Sequence, residues 1–318
     1  MTTLSSSISN SKKAGVYIIC SLITICGLLI SFDFLFTKYV IFYHKWSEIS
    51  QIKRLYNTEN PNEIPIFGSS LAQRSYYVDS LGDNYHVYGM AGSNFQKMYP
   101  LLEEEFSKER TTPIIFDFYM NTLKRNDTVN IRLRNFIPFA RKEIVQEYLK
   151  ELDLYKAYYP VPGLRYFGNY VDYLMTHQKD KREEQRNYFK KGGAYYLPET
   201  DSSKFNNYVK KRLITHESFE VDSAFERRFK KLIAQRPDRM VILVKSPHHW
   251  SCYKSSVDLD AVEDYLHSLE KEFSNVRVLI YDGKDYPDNY FKDTIHMNIR
   301  GARKFSGILI KDLLRIFR

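Results

Sequence analysis

The sequence predicts an α/β fold, in which helices cover both faces of a parallel sheet, behind one N-terminal membrane-spanning helix. Short apolar runs alternate with helical patterns from residue 61 to residue 318, and a long uncharged stretch precedes them. The chain is 43% hydrophobic, which is enough to form a core and excludes a disordered protein. Its three cysteines exclude both a disulfide scaffold and a cysteine-rich metal site.

The N-terminal region predicts a signal anchor over residues 14–37. Residues 14–32 carry no charge, and about 20 apolar residues are needed to cross the hydrocarbon core of a bilayer. A buried core helix and a cleaved signal peptide are the alternatives, but the small residues of a cleavage site do not follow the apolar run. Lys12-Lys13 favours a cytoplasmic tail over residues 1–13 and places the rest of the chain outside the cytoplasm. We expect Asp33 near one interface.

A juxtamembrane helix and linker are expected over residues 38–60, and a three-layer sandwich over residues 61–318. Short runs that are rich in β-branched and aromatic residues and are bounded by turn residues are typical of buried parallel strands. Five such runs occur, at residues 64–67, 85–88, 113–120, 240–244 and 276–281. Apolar residues at three- and four-residue spacing predict helices between and after them.

Residues 122–239 separate the third run from the fourth and predict a helical insertion. This insertion holds 25 Lys and Arg against 16 Asp and Glu, whereas the whole chain has a net charge of +9, so the remainder is neutral on balance. The excess indicates either a solvated helical surface or a surface for an anionic partner. Phospholipid headgroups and an acidic polymer are the partners considered. Nucleic acid is not expected as a partner, because an exported domain rarely meets it.

The residues that follow the predicted strands suggest a serine hydrolase. In an open parallel sheet, ligands bind beyond the carboxyl ends of the strands. A serine hydroxyl becomes a nucleophile when an imidazole takes its proton and a carboxylate orients that imidazole. Ser70 follows the first strand, and Asp293 and His296 follow the fifth, so we expect them to form a catalytic triad. The Ser70 and Gly92 backbone N–H groups and the Asn121 side chain are the candidate oxyanion donors.

Other residues at the same edge are candidates for lining the pocket. Ser69 precedes the nucleophile, and Arg74 lies one helical turn beyond it, where it would bind a carboxylate or form a surface ion pair. His248 and His249 follow the fourth strand; one of them would line the pocket, or both would be ordinary loop residues. Adjacent side chains diverge in an extended segment, which argues against a two-histidine metal site. We expect no metal and no organic cofactor.

These motifs resemble those of the GDSL/SGNH hydrolase family. Gly68-Ser69-Ser70 is similar to the family's first block, with Ser69 in place of Asp, as in membrane-anchored polysaccharide acetylation proteins and the teichoic-acid D-alanylation esterase. The loop that ends at Gly92 resembles the second block, and Asp293-Thr294-Ile295-His296 matches the fifth. The third block usually reads Gly-x-Asn-Asp, and here only Asn121 stands for it. The resemblance covers about residues 60–121 and 240–318.

The resemblance implies a flavodoxin-like SGNH fold and a serine esterase or acyltransferase at a bacterial membrane. It implies action on acyl esters, O-acetyl above all, of a cell-envelope polysaccharide, with a membrane O-acyltransferase as a further partner. Two alternatives stay open. The chain would be a non-catalytic partner or glycan-binding subunit of such an acyltransferase, or a protein that binds lipid headgroups or an acidic polymer through Lys210-Lys211-Arg212 and Arg227-Arg228.

Overall fold

The computed structural model describes two compact units. The described residues are 4–43, 47–58, 60–125, 132–176, 198, 202–214, 216–254 and 256–317. The first unit, called the anchor unit, comprises Met1–Lys45 and Arg132–Arg182; the second, called the sheet unit, comprises Trp46–Ile131 and Glu183–Arg318.

The sheet unit is built on a five-stranded, entirely parallel sheet. Its strands are β1 (Ile64–Phe67), β2 (Tyr85–Val87), β3 (Ile114–Asp117), β4 (Val241–Lys245) and β5 (Val276–Ile280). They lie in the order β2-β1-β3-β4-β5, so the order reverses beside β1. Two short strands, His216–Glu217 and Ser256–Val257, pair with each other outside this sheet. The predicted α/β class and parallel five-stranded sheet are confirmed.

Helices account for most of the remaining described residues. In the anchor unit they are α1 (Leu4–Phe36), α6 (Glu143–Glu151) and the helical residues 170–176, labelled α7. In the sheet unit they are α2 (Glu48–Asn57), α3 (Ser70–Ser75), α4 (Val78–Leu81), α5 (Phe95–Ser107), α8 (Ser202–Leu213), α9 (Ser223–Gln235), α10 (Ser251–Lys254), α11 (Leu259–Glu272) and α12 (Ile299–Ile316).

Strands β1 to β4 are buried on both faces, which explains why they are apolar runs rather than alternating patterns, whereas the edge strand β5 is only partly buried. Ile66, Ile115 and Ile242 are neighbours in register and pack on one face with α12, which also contacts α3 and α4. The next residue along each strand points to the opposite face of the sheet. On that face, the Phe116 ring lies 5.3 Å from the Phe229 ring of α9. Helix α9 in turn contacts α5. Three layers result, as the sequence predicts.

A buried ion cluster fixes the amino-terminal ends of the strands, opposite the edge that the motifs occupy. Glu105 accepts hydrogen bonds from Arg110 (2.7 Å, Nε to Oε1) and Arg239 (2.6 Å, Nη2 to Oε1). Glu63, which directly precedes β1, pairs with Arg54 at 2.6 Å. Burial is the largest influence on the Glu105 carboxyl and raises its pKa, but the surrounding Arg and Lys side chains outweigh it, and the pKa is lowered.

Helix α1 is long and apolar enough to cross a membrane. The apolar span covers Lys13–Ile41, which is 29 residues, and an 18-residue stretch within it has a mean hydropathy of 2.3 and is only 6% buried. The predicted span 14–37 falls inside it. A π-helical turn at Thr37–Ile41 continues the helix.

The segment expected to be one insertion divides between the two units. Residues 132–176 belong to the anchor unit, where Arg165 pairs with Asp33 of α1 at 2.7 Å. Helices α8 and α9 belong to the sheet unit. The parts of the expected insertion at 126–131, 177–197, 199–201 and 215 lie outside the described residues. The expected linker 38–60 also differs, because α2 within it buries Ile49, Ile52 and Leu55 in the sheet unit.

Candidate active site

The sequence-distant Ser70 and His296 meet at the carboxyl edge of the sheet. The Ser70 hydroxyl Oγ lies 2.9 Å from His296 Nε2. Ser70 is the first residue of α3, directly after the turn that follows β1. His296 lies in the loop between β5 and α12. The hydrogen-bond distance expected between the nucleophile and the base is therefore present.

Asp293 holds the other nitrogen of the same imidazole. His296 Nδ1 lies 2.9 Å from Oδ2 and 3.1 Å from Oδ1 of Asp293. The carboxylate also accepts backbone N–H bonds from Ile295 at 2.9 Å and from His296 at 2.8 Å. Partial burial is the largest influence on Asp293 and raises its pKa, but the bonds from His296 and the backbone together lower the pKa below its usual value. Asp293 is thus an ionised carboxylate that accepts a hydrogen bond from His296 Nδ1. This leaves His296 Nε2 free to accept a hydrogen bond from the Ser70 hydroxyl.

The loop that carries Asp293 and His296 is fixed by the residues after it. Asn298 caps α12 by accepting from the Arg300 and Gly301 backbone N–H groups, and its Nδ2 donates to the Asn289 carbonyl at 2.7 Å. A Cβ at Gly301 would lie 2.2 Å from the Tyr290 carbonyl oxygen, so only glycine fits. The Asn and Gly that follow Asp-x-x-His thus serve to hold the turn.

Gly68 is required at the turn that presents Ser70. Its φ is +151°, and a Cβ would lie 2.8 Å from the Ala72 Cβ and 3.0 Å from the Asp117 carbonyl oxygen. Ser69 accepts a 3.4 Å bond from the Leu71 backbone N–H and so caps α3. Ser69 therefore has a structural role beside the nucleophile.

The loop after β2 lies against the same turn. The Met90 backbone N–H donates to the Gly68 carbonyl at 2.9 Å, and Gly92 in this loop has φ +62°. This places the loop that contains Gly92 beside the turn that presents Ser70, and the role of Gly92 as an oxyanion donor stays a prediction. Asn121, by contrast, is exposed on the turn after β3, and no hydrogen bond joins it to Ser70, Asp293 or His296. The structure does not bring Asn121 into the triad's hydrogen-bond network.

Arg74 has no counter-ion among the residues that the structure describes. It is half-buried on α3, and its Nε is shielded from solvent with no hydrogen-bond acceptor. Within the described part of the chain it makes no ion pair, so the surface ion pair that was the simpler expectation is not formed. One helical turn separates it from Ser70.

The two adjacent histidines diverge, as expected, and both are buried rather than lining an open pocket. His248 is 1% exposed and stacks on Tyr119, with ring centroids 5.1 Å apart. Burial, followed by the charges of Lys245 and Arg212, lowers the pKa of His248 to about 3, so it is neutral. His249 bonds Asp288 and Ser251 through its ring, and its backbone N–H donates to the Thr294 carbonyl at 3.1 Å.

Arg212 is buried at the edge of the sheet, which was not predicted from the sequence. Its Nε lies 3.3 Å from the Cys252 sulfur, and its Nη2 lies 3.4 Å from the Tyr119 hydroxyl. In the sequence it reads as the last member of a solvated basic run, Lys210-Lys211-Arg212. The available signal was its spacing of seven residues from Phe205, which places both on one buried face of α8.

Across the described ranges, no group of three or more His, Cys, Asp or Glu side chains is arranged to hold a metal ion. The candidate site consists of Ser70, His296 and Asp293 with their supporting loops. Neither the comparison with protein-family models nor the comparison with curated proteins gives a match for this chain.

Proposed function

We propose that this protein is a membrane-anchored serine esterase or acyl-transfer protein. The observation that carries this proposal is the continuous hydrogen-bonded chain from Ser70 through His296 to Asp293, with distances of 2.9 Å at each step. A hydroxyl, an imidazole and an ionised carboxylate in this order are the parts that nucleophilic acyl transfer needs.

In the first half-reaction, Ser70 Oγ attacks the ester carbonyl carbon while His296 Nε2 accepts the hydroxyl proton. The tetrahedral intermediate then collapses: the bond to the leaving alcohol breaks, and the proton on His296 passes to that alcohol's oxygen. The Ser70 and Gly92 backbone N–H groups are the proposed donors to the intermediate oxyanion. The product is an acyl ester on Ser70.

In the second half-reaction, water or a sugar hydroxyl attacks the acyl carbon and gives its proton to His296. Ser70 Oγ leaves and regains the proton. Water completes a hydrolysis, and a sugar hydroxyl completes a transfer. Asp293 keeps its charge throughout and stabilises the imidazolium that forms at each step.

The substrate that we propose is an acylated, above all O-acetylated, cell-envelope polysaccharide. The apolar helix α1 supports a single-pass anchor, and Lys12-Lys13 supports an extracytoplasmic active domain at a bacterial membrane. The resemblance of Gly68-Ser69-Ser70 to the motif of membrane-anchored glycan-modifying relatives supports an envelope glycan. A membrane O-acyltransferase is the proposed partner for the transfer reaction.

A second candidate is a non-catalytic partner or glycan-binding subunit of the same acyltransferase system. The sequence around Asn121 favours it, because the Gly-x-Asn-Asp block of the hydrolases that the chain resembles is reduced here to this one exposed asparagine. Simple binding of headgroups or acidic polymer through the 210–212 basic run is less favoured, because Arg212 is buried.

A fluorophosphonate probe separates the two candidates. Such a probe reacts with an activated serine and leaves a mass label on it. We expect label on the Ser70 peptide of the full-length protein in membranes, and none in the His296→Ala variant. If Ser70 of the wild-type protein is not labelled, the result would support the non-catalytic subunit instead.

A further inference from the structure

The backbone around Gly163 lies directly on the apolar helix α1. Gly163 has φ +82°, and a Cβ at this position would lie 2.6 Å from the Leu29 Cβ. Three residues later, the Tyr166 ring packs 5.2 Å from the Phe36 ring, and the Tyr166 hydroxyl lies 2.7 Å from Thr37 Oγ1. Residues 161–175, called the apron segment below, therefore follow the last turns of α1.

The contact at Leu29 fixes the depth of the apron segment if α1 spans a membrane. Leu29 belongs to the uncharged run of residues 14–32 and precedes Asp33 by four residues. At 1.5 Å per helical residue, Leu29 lies about 6 Å on the hydrocarbon side of Asp33. Gly163 touches Leu29 and must lie at a similar depth.

The charged residues of the apron segment are paired. Asp172, whose side chain is half-exposed, pairs with Arg134 at 3.0 Å, and the other charged residue of the segment is Arg165. It pairs with Asp33 at 2.7 Å, and both side chains are buried. Such internal pairing is what a charge needs at the edge of a low-dielectric medium.

The outer face of the apron segment is apolar and exposed. The large hydrophobic side chains there are between 40% and 74% exposed, and they are Val161, Leu164, Phe167, Val171, Leu174 and Met175. In α7, Val171, Leu174 and Met175 share one helical face. A contiguous exposed patch of this kind on a soluble surface marks an interaction site. Tyr166 and Tyr173 fill the opposite face, and Tyr173 donates to the Arg134 carbonyl.

We propose that the apron segment lies in the bilayer beside α1, at the boundary between acyl chains and headgroups. Its depth, its paired charges and its exposed apolar side chains all fit lipid, and α1, which it contacts, also exposes apolar side chains. Tyrosines are enriched at this level of a membrane. The proposal rests on the proposed anchoring role of α1. It assigns a peripheral membrane contact to a part of the chain that the sequence pattern predicts to be a surface insertion.

Site-specific photocrosslinking in native membranes tests the proposal. p-Benzoylphenylalanine replaces Phe167 of the full-length chain, and mass spectrometry identifies what it captures. We expect adducts of phospholipid acyl chains. The same probe at Glu147, an exposed position on α6 in the same unit, should give no lipid adduct.

A probe at Ile23, which is exposed in the middle of α1, separates the possible failures. Lipid adducts at Ile23 with none at Phe167 would overturn the apron proposal and leave the anchor intact. Adducts at neither position would overturn both. A protein captured at Phe167 in place of lipid would also overturn it, since a partner subunit would then cover the patch.

Discussion

Ser70 and His296 lie 226 residues apart in the chain, and their side-chain atoms Oγ and Nε2 lie 2.9 Å apart. This direct contact supports the proposed roles of Ser70 as nucleophile and His296 as its base. The loops that bring them together begin at the ends of β1 and β5, on opposite sides of the central strand β3.

We predict that Ser70→Ala lowers ester hydrolysis at least about 1,000-fold, because loss of the nucleophile leaves only binding and oxyanion contributions. The measurement is the rate of p-nitrophenyl acetate hydrolysis by the detergent-solubilised protein. Ser69→Ala is the matched control, since Ser69 caps α3 but does not contact His296, and it should retain most of the rate. Equal rates in both variants would contradict the assignment of Ser70.

Asp293→Asn should lower the rate by roughly 1,000- to 10,000-fold. An amide at this position favours the wrong imidazole tautomer and no longer stabilises the imidazolium. The steady-state rate and the thermal stability are measured together. We expect the rate of ester hydrolysis to fall while the melting temperature stays unchanged. A rate equal to that of the wild-type protein would show that Asp293 does not orient His296.

Arg74→Gln should reduce discrimination in favour of anionic esters. The guanidinium has no counter-ion among the described residues. A hydrogen bond between charged groups contributes about 1.5–3 kcal/mol, or roughly 10- to 100-fold in kcat/KM. The ratio of kcat/KM for a carboxylate-bearing ester to that for a neutral ester is the quantity to measure. If the ratio stays the same, Arg74 does not contact the substrate's charge.

The buried Asp117 should make the stability depend on pH. Burial raises its pKa to about 7, although the bonds from Ser246 favour the ionised form. In the unfolded chain it ionises near pH 4, so between about pH 4 and pH 7 the folded state binds more protons, and stability falls as pH rises. The loss approaches about 4 kcal/mol above pH 7.

The Asp117→Asn variant checks this dependence. Its free energy of unfolding should change less between pH 5 and pH 8 than that of the wild-type protein, as measured by denaturant titration. If the free energy of unfolding falls with pH as steeply in the variant as in the wild-type protein, or more steeply, Asp117 does not cause the pH dependence. It would then be ionised in the folded state at neutral pH.

Glu105→Ala should destabilise the sheet unit by about 3–5 kcal/mol, because it leaves Arg110 and Arg239 buried without their shared acceptor. Glu103→Ala, on the same helix, should cost less than about 0.5 kcal/mol. The comparison uses denaturant midpoints of the two variants. Similar midpoints would show that the cluster's arginines find other acceptors.

The parallel sheet could be predicted from the sequence because most of its strands are buried on both faces and end in turn residues. Each apolar run carries that information locally. Asp293 and His296 could likewise be predicted, since three residues of spacing on one turn determine their contact. The third run was predicted too long, because Tyr119 and Thr122 close a hydrogen-bonded turn directly after Asp117 and Phe118.

Long-range pairing outside the candidate active site could not be predicted. Asp33 and Arg165 are 132 residues apart, and nothing local to either residue indicates the other. Arg212 looked like part of a solvated run, because charge alone does not show which face of a helix is buried. The role of Asn121 as an oxyanion donor rests on its place after the third strand and on a motif, and it stays a prediction.

The ion pair between Asp33 and Arg165 has a practical consequence for anyone preparing the protein without its first 37 residues. Truncation would remove the carboxylate, and would also uncover the Tyr166 and Tyr173 rings that pack on Phe36. A shortened chain should therefore expose aromatic surface that is buried in the full-length protein, and should self-associate. The full-length chain in detergent should stay monodisperse. Purification strategies that retain the first helix are the ones expected to yield material fit for enzymology.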